Sequence, residues 1–193
     1  MAGHARYTAL LDACVLFPIA TCNALMSVAG TGIFAAKWTA RIDDEWMQSL
    51  AAAKGIEVAK LARRRDLMHD ACPDWEVPQA AWQPLEACIE LPDADDRHVL
   101  AAAMAGHADC IVTANLKDFP SDVLEPLGIE VLHPDAFLVA QIELAPLHVL
   151  PAFKAMRARH LNPAVKPEEF ADSLARAGLV RTADYLRQAA GLI

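Results

Sequence analysis

The sequence predicts an α/β fold: a three-layer α/β/α arrangement around a central parallel sheet, plus a C-terminal all-helical extension. Three observations predict it. Short, mostly apolar runs at residues 7–11, 109–113 and 128–132 have the pattern of parallel strands buried on both faces. Helical stretches alternate with those runs, as crossover connections require. Beyond His133-Pro134 the strand pattern stops, and four helical stretches follow one another.

The elements follow in order. Residues 7–11 form an apolar strand that ends at Asp12. Pro18 sits at a first helical position, and a helix runs to about Ala29, where Gly30-Thr31-Gly32 stops it. Residues 33–38 read as a second strand. Thr39 can cap the next helix, which places Asp43, Asp44 and Glu45 in its first turns and breaks at Gly55. Residues 56–69 read as a helix carrying Lys60 and the run Arg63-Arg64-Arg65. Residues 72–92 hold Pro73, Pro78 and Pro84 and read as loop with one short helix near residues 80–88. Asp95 or Asp96 then opens a helix at residues 97–106. After the two remaining strands, helices are expected at 135–144, 147–160, 167–177 and 182–190, with a linker at 162–166. These features divide the chain at residues 1–140 and 141–193.

Composition excludes several classes. The 193 residues have a mean hydropathy of +0.22, enough for a sizeable core, yet the longest apolar runs fall far short of the ~20 residues a bilayer demands. Residues 1–6 lack the apolar run of a signal peptide, so the expected location is cytoplasmic, with no membrane contact. The five cysteines are odd in number and scattered, with no CxxC, so reduced thiols are expected rather than a zinc knuckle or a redox pair. Cys14 has no histidine at a recognisable spacing to activate it as a nucleophile. A net charge of −8 argues against non-specific coating of nucleic acid. It does not argue against a nuclease, because carboxylates that hold metal ions count as negative in such a tally.

The chemistry-bearing residues gather by topology. In open parallel sheets, ligands bind beyond the carboxyl ends of the strands. Asp12 ends the first strand, and Asn115 and Asp118 follow the strand that ends at Thr113. Asp96 opens the helix feeding that strand, and Glu45 lies on the helix after strand two. Oxygen donors from several elements, without His or Cys, suit Mg2+ or Mn2+. Each residue also has an ordinary reading: Asp12 as a turn residue, Glu45 as a complement to a helix dipole, Asp118 as the cap of a short turn and Asn115 as a loop hydrogen bonder. His98 reads as structural, and Arg63-Arg64-Arg65 as a solvated face. Within the cluster Asp93-Ala94-Asp95-Asp96, Asp95 reads as the local cap and Asp93 as a shaper of the loop. Asp12-Ala13-Cys14 supplies neither the acidic pair of a phosphoaspartate receiver nor the Asp-x-Asp of haloacid-dehalogenase phosphatases. His98, at the sixth position of the acidic cluster, excludes an EF-hand loop.

Four segments carry a resemblance. Leu10-Leu11-Asp12-Ala13-Cys14-Val15-Leu16 resembles the opening motif of PIN-domain ribonucleases. Asp43-Asp44-Glu45-Trp46 resembles their second motif, Asp96-Arg97-His98-Val99-Leu100-Ala101 their third, and Ile111-Val112-Thr113-Ala114-Asn115-Leu116-Lys117-Asp118-Phe119 their fourth. The four occur in family order across roughly residues 7–138, and the chain is most similar to the VapC toxin type with a C-terminal helical extension. Cys14 stands where the family commonly has Asn or Ser, and Asn115 where many members have Asp.

The resemblance implies a Mg2+- or Mn2+-dependent endoribonuclease that cleaves RNA phosphodiester bonds as the toxin of a type II toxin–antitoxin pair. Asp12, Glu45, Asp96 and Asp118 would be the metal ligands and catalytic acids, with Thr113 and Asn115 in support. Lys37, Arg41, Lys117 and the Arg63–Arg65 face could hold flanking phosphates. The partners implied are an RNA substrate, a small antitoxin and a second copy in a homodimer. The alternative is a non-catalytic PIN-like module that binds protein or RNA through a weakened metal site.

Overall fold

The computed structural model describes residues 6–159 and 164–193. It contains a four-stranded, wholly parallel sheet in the order β2-β1-β3-β4. The strands are β1 (Thr8–Leu11), β2 (Ala35–Lys37), β3 (Cys110–Val112) and β4 (Glu130–Leu132). Leu10 pairs with Lys37 on one side and with Ile111 on the other. The two central strands are the most apolar and the most buried: Ala9, Leu10, Leu11, Cys110, Ile111 and Val112 are all inaccessible to solvent. The edge strands β2 and β4 are only partly covered. Burial on both faces requires apolar side chains in both directions, which is why the central strands read as continuous runs rather than alternating ones.

Helices complete the three layers of a PIN fold. They are α1 (Ala13–Leu16), α2 (Ile19–Ala29), α3 (Ala40–Lys54), α4 (Ala62–Ala71), α5 (Gln79–Glu86), α6 (Arg97–Ala105) and α7 (Ser121–Leu124). Beyond β4 the chain continues with α8 (Pro134–Leu144), α9 (Pro146–Ala158), α10 (Pro167–Arg176) and α11 (Val180–Gln188). The small residues of α6, Ala101, Ala102 and Ala103, allow it to lie close against β1 and β3. Helix α3 starts where the sequence places it: Thr39 Oγ1 accepts the Ile42 N–H at 3.1 Å. It stops at Gly55, whose φ of 62° is the left-handed conformation that glycine adopts without strain.

Several boundaries differ from expectation. Pro18 precedes α2 as its cap instead of occupying its first turn, because α1 already fills the turn after Asp12. The helix expected at 56–69 begins as a 3-10 turn over Val58–Leu61 and becomes α-helical only at Ala62. The cap at the acidic cluster is Asp93, not Asp95: its Oδ1 accepts the Asp95 N–H at 2.9 Å. A 3-10 turn over Ala94–Asp96 then leads into α6. The expectations at residues 1–5, at His160 and at Asn162-Pro163 lie outside the described residues. Among the described residues, no helix is long and apolar enough to cross a membrane. Cys14, Cys22, Cys72, Cys88 and Cys110 are all free thiols.

The C-terminal helices pack back onto the α/β layers. Helix α8 runs through residue 140, α9 lies against α2, and α11 lies against α8. Asp135, buried in the first turn of α8, accepts the backbone N–H groups of Arg181 and Thr182, both at 2.8 Å, and the Thr182 hydroxyl at 2.7 Å. A carboxylate from one helix thus satisfies the free N–H groups at the start of another. Phe34, just before β2, meets Phe137 of α8 edge to face at 4.8 Å.

Candidate active site

The carboxyl ends of β1 and β3 lie side by side, and the candidate residues gather above them. Asp12 follows Leu11, and its backbone N–H donates to Val112 O at 3.2 Å, so the sheet itself fixes the position of this acid. Thr113 follows Val112 and is fully buried. Its hydroxyl donates to Asp12 Oδ2 at 2.7 Å. The Cys14 thiol donates to the same oxygen at 3.0 Å and receives the Ala114 N–H at 3.2 Å. Burial, reinforced by the negative charge of Asp12, pushes the Cys14 thiol up to about 12. It therefore stays protonated and takes the place of the donor that Ser or Asn would supply. Asp12 Oδ1 has no hydrogen-bond partner among the described residues.

Asp12, Cys14, Glu45, Asp96 and Asn115 line one cavity of about 370 Å3, with Phe17 and Trp46 as its apolar walls. Asp96 enters from the start of α6. Its carboxyl is raised to about 6, first by burial, then by the negative charges of Asp12, Asp118 and Asp93, against a lowering influence from His98. Asp118 does not line the cavity, but its charge reaches Asp96 from the turn Leu116–Asp118 after β3. The Asn115 N–H donates to Thr113 Oγ1 at 3.0 Å, which links this turn to the Asp12 network.

Glu45 has a different setting. Its Oε1 lies 3.0 Å from His98 Nε2 and accepts from Arg41 Nε at 3.1 Å. Arg41 also donates to Glu86 Oε1 at 2.9 Å. Arg41 is therefore an ion-pair partner within the protein, not a free rim cation for phosphate. Lys37 donates to the Asp74 carbonyl. Arg64 donates to the carbonyls of Leu16 and Phe17 at the end of α1 and lies over the Trp46 ring, 4.6 Å from its centroid. Arg65 pairs with Asp66. The supposed Arg face thus divides, with Arg64 bracing the floor of the site and Arg63 exposed. Lys117 is 86% exposed, with its ammonium 4.0 Å from Asp118.

Sequence reasoning missed three contributors. Trp46 stands beside Glu45 in the chain and Ser49 one helical turn beyond it; both line the cavity. The third is His98, whose contact with Glu45 crosses from α6 to α3.

The residues fit a hard divalent cation by donor chemistry. Their free donors are carboxylate and amide oxygens, and the one sulfur is a protonated thiol. Beyond burial, the charges of Asp12, Asp118 and Asp93 add to the rise of Asp96 and mark a concentration of negative charge. Among the described residues, no three His, Cys, Asp or Glu side chains are already drawn together as a ligand cage.

Comparison with known proteins agrees with the fold. A model of the PIN domain matches residues 8–117, and a model described as the VapC50 C-terminal domain matches residues 134–188. Putative ribonuclease VapC50 of Mycobacterium tuberculosis is 43% identical over 79 residues, which are 41% of this chain and 47% of that protein. The match thus spans about half the length of that relative. No solved structure matches. The first model covers more than half of the chain, and the chain belongs to the PIN-domain family, in its VapC type with a C-terminal helical extension.

Proposed function

We propose that this protein is a Mg2+- or Mn2+-dependent endoribonuclease and the toxin of a type II toxin–antitoxin pair. The observation that carries the reading is one cavity at the ends of the parallel strands lined by Asp12, Glu45, Asp96 and Asn115, where burial and then the charges of Asp12, Asp118 and Asp93 raise the Asp96 carboxyl to about 6. Asp12, Glu45, Asp96 and Asp118 would hold the cation, and Asn115 could add an amide oxygen. A bound divalent ion would lower the pKa of water and so supply a nucleophile near neutral pH.

The protein's own residues have separate tasks. Thr113 and Cys14 hold Oδ2 of Asp12, which leaves Oδ1 as the available donor. Trp46 and Phe17 give the cavity its apolar walls. Lys117 and Arg63 are exposed cations able to meet flanking phosphates. In-line attack on phosphorus would give a 5′-phosphate and a 3′-hydroxyl. The nuclease unit would span residues 1–140 and the extension 141–193. A small antitoxin would silence the site, a second copy could form a homodimer, and the pair would work in the cytoplasm.

The test is cleavage of labelled RNA with Mn2+ by the wild type and by Asp96→Asn. The expected result is a loss of at least about 100-fold in the variant, in line with removal of one charge-stabilising group at a reaction centre. Equal cleavage by both proteins would overturn the assignment.

A second reading is a non-catalytic PIN module. It is favoured by the pairing of Glu45 with Arg41 and His98, which occupies one proposed ligand. A folded protein that takes up no Mn2+ would support it.

A further inference from the structure

His98 is the one ionisable side chain of α6 that turns into the core: it is 1% exposed, in the first turn of the helix. Its ring lies beside Trp82 of α5, with centroids 6.1 Å apart. The Nδ1 atom is buried and has no partner among the described residues. Its polar contact is therefore Nε2 against Glu45 Oε1 at 3.0 Å. A ring placed only to fill the core would not need that nitrogen, since a leucine fills similar volume without burying polar atoms.

The contact has a geometric consequence. Glu45 sits on α3 with three rotatable torsions and a side chain 36% exposed. Left alone it would sample several rotamers. The half-buried Arg41 guanidinium also holds Oε1 but is shared with Glu86, and water screens part of the pair. The buried imidazole is itself fixed by the core, so its Nε2 meets Oε1 from a set position, 3.0 Å away. Asp96 and His98 also share the start of α6, so one helix end sets two of the acids at once.

We propose that His98 is a positioning residue for Glu45: the Nε2 contact holds Oε1 and leaves Oε2 as the oxygen available to a divalent cation. This rests on the metal-dependent reading above. It concerns how Glu45 is aimed, not the identity of the ligands. Groups that orient a ligand change metal affinity without touching the metal.

The experiment is calorimetric titration with Mn2+ of the full chain and three variants, with the melting temperature of each measured in EDTA. His98→Gln keeps an N–H that can reach Glu45; His98→Asn is polar but too short; His98→Leu fills the space without a donor. Binding about tenfold weaker in the Asn and Leu variants, with the Gln variant within about threefold of wild type, is the expected result. A structural role would lower the melting temperatures and leave affinity unchanged in the folded variants. Equal affinity in all four proteins overturns the inference, and so does equal loss in Gln and Asn. If the wild type itself takes up no Mn2+, the metal reading fails and the inference with it. A wild type that binds, with variants that bind equally well, overturns the inference alone.

Discussion

The two sides of the cavity treat the same chemical group in opposite ways. Asp12 is held by neutral donors, a hydroxyl and a protonated thiol, and by the backbone of two adjacent central strands. Glu45 is held by a guanidinium and an imidazole, on a helix one layer away. Neutral donors orient a carboxylate and leave its full charge facing the cavity. A cationic partner orients it and offsets that charge. Asp12 is thus the fixed anionic corner of the site, and Glu45 the adjustable one. The difference teaches that a shared side-chain type does not imply a shared electrostatic role.

Breaking the fixed corner should have the largest effect on stability. Thr113→Val removes the 2.7 Å bond to Asp12 in a fully buried position. Hydrogen bonds to charged groups contribute about 1.5–3 kcal/mol, so thermal unfolding should fall by roughly 3–12 °C for a chain of this size. A melting temperature equal to that of the wild type would show that Cys14 alone suffices to hold Asp12.

A smaller effect, of opposite sign, is expected at Asp96, which lines the same cavity. Its carboxyl is raised from the usual carboxylate value to about 6, chiefly by burial. A raised acid binds its proton more tightly in the folded state than in the unfolded one. The metal-free protein therefore keeps this contribution below about pH 4 and loses it as pH rises through about 6. Asp96→Asn should remove that loss. With Asp96 partly exposed and solvent screening discounted, the gain above pH 6 is about 1 kcal/mol, or roughly 2–4 °C. Melting curves in EDTA at pH 4 and pH 7 decide it: variant and wild type should differ more at pH 7, and a difference that does not change with pH contradicts the repulsion.

The legibility of the molecule divides along similar lines. Asp12 was readable because a buried strand must be apolar and must end where a polar group appears. Thr39, Gly55 and the Ala-rich start of α6 were readable because caps and close helix packing impose local residue types. The family motifs then joined Asp12, Glu45, Asp96 and Asp118, which spacing alone leaves unconnected. The cross-chain pairings were not readable. Nothing local distinguishes Arg41, bound to Glu86 forty-five positions away, from a free rim cation. Arg64 looked like its neighbours Arg63 and Arg65, yet it alone reaches back to α1 and Trp46. Asp93 and Asp95 exchanged roles because a preceding 3-10 turn moved the cap two residues upstream, a shift set by backbone geometry. His98 read as structural; its contact with Glu45 depends on how closely α6 approaches α3.

The claim that the acids form one cation site, anchored at Asp12, is tested most directly by Mn2+ titration calorimetry on the wild type and on Asp12→Asn. The substitution keeps the shape of the side chain and removes its charge. Saturable binding by the wild type and a loss of at least about tenfold in affinity in a folded Asp12→Asn protein is the result predicted. Equal affinity in the two proteins, or no binding by either, would contradict it.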